Sequence, residues 1–327
     1  MERMNNISQY EEIKRIVKGK LVDKTIKDDF ESLSEPLFGE GNCFSSDEVR
    51  KRMYGMKYLI DVLEIERYFE KLYKKILSIS DLHTPFQLPI ETFKDYKEKV
   101  DILVLNGDLQ DAQSVSKFPK KYRIPFDEEM IETRQYIIDL INYIKPKKVY
   151  INKGNHEDRL LKLLSDKLND DLLRILPDSP LDLIINDGFK ITNRRNKTET
   201  WYSPVKEIFN DIEIIYTRDW KCKIGKTIFA HPLAYSSGML KTTEKAVNYF
   251  LREDRDFDTI VLAHTHKLGS FLQGNIYLYE QGCSCKTEEL SYTDGYLTLP
   301  AQKGFIFVCQ DKDGNLIHDK TKLIEIK

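Results

Sequence analysis

From residue 75 onward the chain is a succession of short apolar runs rich in Val, Ile and Phe. They are ILSIS (76–80), ILVL (102–105), VYIN (149–152), IEIIYT (212–217), TIFA (227–230), TIVLA (259–263), NIYLYE (275–280) and GFIFVCQ (304–310). Runs of this length and β-branched content read as strands, and unbroken apolar ones as strands buried on both faces. Helical spacing follows the second run, with Met130, Ile131, Tyr136, Ile137, Leu140, Ile141 and Ile144 on one stripe until Pro146 stops it. Gly225, Gly274 and the Asp313-Gly314-Asn315 triplet fall where turns are expected. Strand–helix alternation passing into a strand-rich C-terminal half predicts an α/β domain with mixed sheets.

Composition narrows what such a chain can do. Hydrophobic residues make up 41% and charged ones 32%, which is globular and not disordered. Lys plus Arg number 51 against 53 Asp plus Glu, a net charge of −2, so any attraction to a polyanion must come from a local patch. The longest stretch without a charge runs from Thr227 to Leu240, shorter than the roughly 18 apolar residues a spanning helix needs, which argues against a membrane protein. The N-terminus, MERMNNISQYEEIKR, carries acids where a signal peptide needs its apolar segment, so a cytoplasmic protein is expected. Five cysteines are odd in number and scattered, which excludes a disulfide framework. Cys283 and Cys285 form one C-x-C pair, too few ligands for a tetrahedral zinc site; in an extended segment they share a face.

Residues 1–72 read as a helical region apart from a main domain at 73–327. Ile13, Ile16 and Val17 mark one short helix, and Ile26, Phe30 and Leu33 a second. Ser45 and Glu48 form a capping box ahead of a third stripe, Val49, Met53, Met56, Ile60 and Leu63. With Arg50, Lys51, Arg52 and Lys57 on the third, the three fit either a helix-turn-helix unit facing nucleic acid or a helical appendage with solvated charges. Residues 167–211 are polar and Pro-punctuated, an expected insertion over one face of the sheet.

Six histidines are present, and five of them lie within a few residues of an expected strand end. Asp81-Leu82-His83 follows the first run, Gly107-Asp108-Leu109-Gln110-Asp111 the second, and Gly154-Asn155-His156-Glu157 the third. His231 follows TIFA, and His264-Thr265-His266 follows TIVL. Residues two apart in an extended segment project to one side, so D-x-H and H-x-H can each direct both side chains at one centre. Carboxylate, imidazole and amide oxygen together suit Mn²⁺, Fe or Zn²⁺ better than a soft copper site. Single Asp–His pairs also serve as core salt bridges and caps; five such motifs at five strand ends are poorly explained that way.

This ordered set resembles the calcineurin-like metallophosphoesterase superfamily over roughly Lys75 to Gln310. The strings SDLHTPF (80–86), GNHEDRL (154–160) and AHTHKLGS (263–270) are similar to members encoded by bacteriophages and prophages. Ala263 stands where the family usually has Gly before H-x-H, a change expected to need only a slight backbone adjustment. The resemblance implies the calcineurin-like fold, mixed β-sheets sandwiched by helices, with the small N-terminal helical appendage. It further implies two divalent metal ions, with Mn the expected pair and Fe or Zn as alternatives. Asp81, His83 and His266 would hold one ion, Asn155, His231 and His264 the other, and Asp108 would bridge them. His156 would act as catalytic acid, with Asp111 fixing its tautomer and raising its basicity. His318 matches nothing in the pattern and is expected at the surface.

In such a site a hydroxide bridging ions about 3.5–4 Å apart attacks phosphorus in line, and His156 protonates the leaving alkoxide. The expected activity is therefore hydrolysis of a phosphoester, with a diester in DNA, RNA or a nucleotide as the expected substrate. Alternatives are a phosphomonoesterase, or a nucleic-acid-binding protein that works through its N-terminal helices with the phosphoesterase fold as scaffold. Asp111-Ala112-Gln113 replaces the Arg-Gly that protein phosphatases of this superfamily carry, which argues against phosphoprotein substrates. Arg159 fits two roles, a substitute phosphate cation or a partner for Glu157 or Asp158 on its own helix. Arg194, Arg195, Lys197, Trp201 and Tyr202 interleave charge with aromatic rings, as single-strand binding surfaces do.

Overall fold

A computed structural model of the chain describes residues 45, 48, 49, 51–58, 73–117, 123–193, 195–236, 238, 240–289 and 300–327. The chain divides into two units, Met1–Leu72 and Tyr73–Lys327. In the first, residues 48, 49 and 51–58 are helical. Glu48 folds back onto the helix start, accepting from the Ser45 amide (3.3 Å) and from the Ser45 hydroxyl (3.0 Å). Lys51 and Arg52 are exposed on this helix, whereas Val49 and Met53 are buried. The two earlier helices, Arg50 and the end of the third stripe lie outside the described residues.

The second unit is built on two sheets. The first has strand order β13-β12-β1-β2-β3-β6. Its strands are β1 (Lys74–Ile79), β2 (Ile102–Asn106), β3 (Lys148–Asn152), β6 (Glu213–Tyr216), β12 (Gly304–Gln310) and β13 (Lys322–Glu325). β1, β2, β3 and β6 run parallel, with β12 and β13 added antiparallel at one edge. The second sheet has order β10-β11-β9-β8-β7. It comprises β7 (Lys221–Ile224), β8 (Thr227–Ala230), β9 (Thr259–Leu262), β10 (Leu268–Gln273) and β11 (Ile276–Gln281). Here β8, β9 and β11 are parallel, while β7 and β10 pair by tight hairpins whose turns place Gly225 and Gly274 at φ +55° and +60°.

Alternation along the strands assembles the layers. Ile76, Ile102, Val104, Ile306 and Val308 face Phe229, Val261 and Tyr279 of the other sheet. The intervening residues Leu77, Leu103 and Leu105 point the other way, into a core with helix α1 (Phe126–Ile144). α1 carries the expected stripe and ends at Lys145, whose left-handed backbone (φ 52°) returns its N–H to Ile141 at 2.8 Å just ahead of Pro146. Ile228, Ala230, Ile260, Leu262 and Leu278 cover the outer face of the second sheet beneath Val247 and Phe250 of a helix at Lys241–Glu253. The result is a helix–sheet–sheet–helix sandwich. The mixed sheets covered by helices match the expected calcineurin-like architecture.

All eight expected strands form, most within a residue or two of the sequence reading. β7, β10, β13 and the hairpin β4 (Phe189–Thr192) and β5 (Glu199–Tyr202) were not expected. All five lie at sheet edges or in a two-stranded ribbon, where one face meets water and the apolar run that marks a buried strand is missing. The reading of 167–211 as merely polar needs correction. Leu181, Ile184, Ile185 and Phe189 are buried in the same core as α1, so this segment closes that core. Cys283 and Cys285 are buried beside Phe86 and Ala301, and His318 sits outside, stacked on Tyr277 at 4.7 Å. Among the described residues no helix is long and apolar enough to cross a membrane.

Candidate metal centre

Five parallel strands end at one place. Asp81 follows β1, Asp108 follows β2, Asn155 follows β3, His231 follows β8 and His264 follows β9. The carboxyl ends of parallel strands are where an α/β sheet presents its loops, and here two sheets present them together. Asn106 and Asn152 fasten the sheets just beneath. Asn152 donates to Asn106 Oδ1 (2.9 Å) and to the Phe229 carbonyl (3.1 Å), and Asn106 donates to the Ala230 carbonyl (3.3 Å).

The loops turn sharply. Asp81, His83, Asp108, His264 and His266 all hold left-handed backbone, with φ between 47° and 73°. A non-glycine residue there costs about 1–2 kcal/mol, which the surrounding fold must offset. Two glycines leave room for close approach. A Cβ on Gly107 would lie 2.5 Å from His231 Nδ1, and one on Gly154 would collide with the Asp108 carboxylate.

The side chains converge in three overlapping groups: Asp81, His83 and His266; His83, Asp108 and His156; Asp108, His231 and His264. His266 Nε2 lies 3.1 Å from Asp81 Oδ1, and His83 Nε2 lies 3.2 Å from His266 Nε2. A single Asp108 oxygen, Oδ2, is approached by Nε2 of His231 (3.2 Å), His156 (3.7 Å) and His83 (4.0 Å). Asn155 Oδ1 stands 3.3 Å from His231 Nε2. Asp81, His83, Asp108, Asn155, His156, His231, His264 and His266 thus lie in one cluster.

Those distances fit cations. Two imidazole nitrogens facing each other repel unless one is protonated, and one carboxylate oxygen cannot satisfy three rings; positive ions among them relieve both conflicts. On two of the rings the other nitrogen faces an acceptor, as it does in metal-binding histidines. His231 Nδ1 lies 2.8 Å from the Asn106 carbonyl, which can only accept, so Nδ1 carries a proton and Nε2 is the ring nitrogen turned toward the centre. His83 Nδ1 faces Asp111 Oδ1 at 3.3 Å.

Charge is distributed accordingly. Burial opposes ionisation of Asp81, Asp108 and Asp111, yet the imidazoles around them hold all three carboxyls below the usual range. Burial would also lower His231 and His266, but Asp108 and Asp81 bring His231 up to about 10, and Cys283 and Asp81 bring His266 up to about 9. Asp111 pulls His156 toward its charged form but is outweighed. Burial dominates and takes His156 down to about 4. Asp111 does orient the ring, with His156 Nδ1 at 3.0 Å from its carbonyl and 3.2 Å from its carboxylate.

Three residues near this centre were missed or only half read from the sequence. Arg159 does not pair with Glu157 or Asp158; Lys153 takes Asp158 at 2.8 Å. Its guanidinium instead donates to the Asp111 carbonyl (2.7 Å) and lies 2.7 Å from His156 Nε2. Tyr235 meets the His264 ring edge on, with centroids 5.4 Å apart. Glu157 is fully buried and accepts four backbone amides: Asp108 (3.1 Å), Leu109 (2.8 Å), Gln110 (3.2 Å) and Gly154 (2.8 Å). It ties the Asp108 loop to the Asn155 loop. Burial and the Asp108 charge push its pKa up to about 7, against the pull of those amides. Its only sequence signal was its place in G-N-H-E. Glu157→Gln must turn an NH₂ toward at least one of these N–H donors, so it should cost about 1–3 kcal/mol in denaturant titrations. No loss of stability would show that the loops hold themselves.

Among solved structures, the chain is similar to vacuolar protein sorting 29 from Cryptosporidium parvum, 16% identical over 78% of this chain and 99% of that one, with a TM-score of 0.37. A novel archaeal phosphodiesterase is 15% identical over 77% of this chain and 99% of its own, at a TM-score of 0.31. Zinc-complexed vacuolar protein sorting 29 from Entamoeba histolytica is 13% identical over 77% and 98%, at a TM-score of 0.34. No curated protein matches the chain significantly. The family model for calcineurin-like phosphoesterases matches residues 74–268, which begin at β1 and end just past the H-x-H motif. That match covers more than half of the sequence and contains every strand end described above, and the chain belongs to the calcineurin-like phosphoesterase family.

Proposed function

We propose that this protein is a dinuclear metal-dependent phosphodiesterase acting on nucleic acid or a nucleotide. The observation that carries the reading is the convergence of Asp81, His83, Asp108, His231, His264 and His266, with Asn155, on one centre built from five strand ends. Asp81, His83 and His266 would hold one divalent ion and Asn155, His231 and His264 the other, with Asp108 between them. Such ions supply a polarised phosphoryl oxygen and hydroxide at neutral pH.

The protein's own groups then have distinct tasks. Arg159 stands beside His156 as the cation that takes a non-bridging phosphate oxygen in place of the missing Arg-Gly clamp. With its guanidinium drawn to phosphate, Nε2 of His156 is freed to take up a proton from water and pass it to the leaving oxygen, while Asp111 holds Nδ1 and favours the charged ring. Substrate preference rests on the basic and aromatic surface. Trp201 is 60% exposed on the β4–β5 hairpin, with Lys190, Arg195 and Lys197 also exposed. The reading includes manganese as the working ion, a cytoplasmic setting and a phage-type member, the last on the strings quoted above.

A substrate panel tests it: a phosphomonoester, a phosphodiester, cyclic nucleotides, and single- and double-stranded DNA and RNA. Chelation should abolish hydrolysis, and Mn²⁺ should restore it better than Mg²⁺, because imidazole suits the softer ion. Diesters should be cleaved faster than monoesters. Hydrolysis that survives thorough chelation would end the metal-dependent reading, and a strict monoesterase would end the diester one.

A further inference from the structure

A cavity of about 310 Å³ opens beside the metal centre, between the loop after β8, Trp220 and the helix at Lys241–Glu253. Trp220, Tyr235, Tyr249 and Phe250 line it, with Ala246 and Lys245 from the helix. Two links join it to the centre. The Trp220 carbonyl accepts the His231 N–H at 2.7 Å, and Tyr235 is the ring that meets His264 edge on.

Its lining is preformed and aromatic. The Trp220 indole stacks on Phe250 with centroids 5.6 Å apart and 23° between planes, and meets Tyr249 edge to face at 5.7 Å. Lys221 holds this cluster from one side, its ammonium 5.3–5.5 Å from all three ring centroids. Yet Tyr235 and Tyr249 remain 55% and 45% exposed. Tyr249, held by this cluster, and Tyr235, set against His264, leave ring surface open to a planar partner. At the same cavity Lys245 donates to Ser236 Oγ at 2.6 Å, a cation suited to a phosphate-bearing ligand.

We infer that this cavity is a nucleobase subsite, receiving the base of a nucleotide whose phosphoester lies at the metal centre. The volume falls at the small end of ligand pockets, enough for a nucleoside-sized group. Four aromatic side chains against one Leu, one Pro and two Ala favour a flat ring over an alkyl chain. The inference deepens the phosphodiesterase reading and rests on it for the substrate's phosphate, but base binding itself needs no metal.

The test uses the full chain and two measurements. The first is calorimetric titration of the chelator-treated protein with adenosine, for the wild type, Ala246→Phe and Tyr249→Ala. Ala246→Phe fills the cavity, and Tyr249→Ala removes an exposed wall at little risk to folding. Each should weaken adenosine binding about tenfold or more, the range expected for one lost stacking partner. The second, with Mn²⁺ added, compares the p-nitrophenyl ester of thymidine 5′-phosphate with methyl p-nitrophenyl phosphate. The ratio of their kcat/KM values should favour the nucleotide ester and fall about tenfold in both variants. Adenosine binding that is absent, or unchanged in both variants, while the methyl ester is hydrolysed would overturn the subsite and leave the phosphodiesterase reading intact. A decyl p-nitrophenyl phosphate preferred over the nucleotide ester would overturn it in favour of a lipid occupant. Adenosine binding that responds to both variants in a protein hydrolysing no ester would uphold the subsite and overturn the phosphodiesterase reading.

Discussion

Asp108→Asn should abolish metal binding and hydrolysis of every ester together. Three imidazole nitrogens gather around Asp108 Oδ2, and in the proposed arrangement that carboxylate lies between both ligand sets. Removing its charge leaves two dications facing each other with less negative charge to separate them. The several kcal/mol of transition-state stabilisation that metal ions provide would be forfeited, a loss of about 10³-fold or more. The fold should survive, because an amide oxygen can still accept the His156 N–H that Asp108 Oδ1 accepts at 2.9 Å. Metal analysis alongside kinetics decides the matter. An Asp108→Asn variant that keeps two ions and most of its rate would show that the carboxylate is not the shared ligand.

His156→Asn should separate proton donation from metal binding. His156 is not assigned to either ion, so metal content should stay near that of the wild type. Its cost should depend on what leaves. A ribose alkoxide needs a proton, and its ester should be slowed about 10²-fold or more. Nitrophenolate leaves unaided, so its ester should be slowed far less. Asp111→Asn should show a weaker form of the same pattern together with some loss of metal, since Asp111 faces both His156 and His83. Metal loss in His156→Asn, or equal slowing of both leaving groups, would remove the proton-donor role and make His156 a ligand or a phosphate contact.

Much of this protein is written locally. Buried parallel strands announce themselves as unbroken apolar runs, and a residue just past such a run stands at a sheet end whatever the rest of the chain does. That is why Asp81, Asp108, Asn155, His231 and His264 are legible as strand-end residues, which the family resemblance gathers into one site, and why the stripe of α1 and its stop at Pro146 are legible too. Edge strands such as β10 and β13 escaped because a half-solvated strand has no need of a continuous apolar signal.

What tertiary structure alone decided is which distant groups meet. Nothing in the string Gly-Asn-His-Glu says that Glu157 will collect four amides from two loops. Nor does spacing show that Arg159 will turn from its helix neighbours to His156, or that burial will outweigh Asp111 in setting the basicity of that ring. The cavity beside His264 joins Trp220, Tyr235 and Tyr249 from separate segments, and no local pattern links them. Strand character and ligand chemistry are properties of a few adjacent residues, which a sequence displays directly. Desolvation, hydrogen-bond choice and cavity shape depend on everything packed around a group, and only the folded chain specifies that.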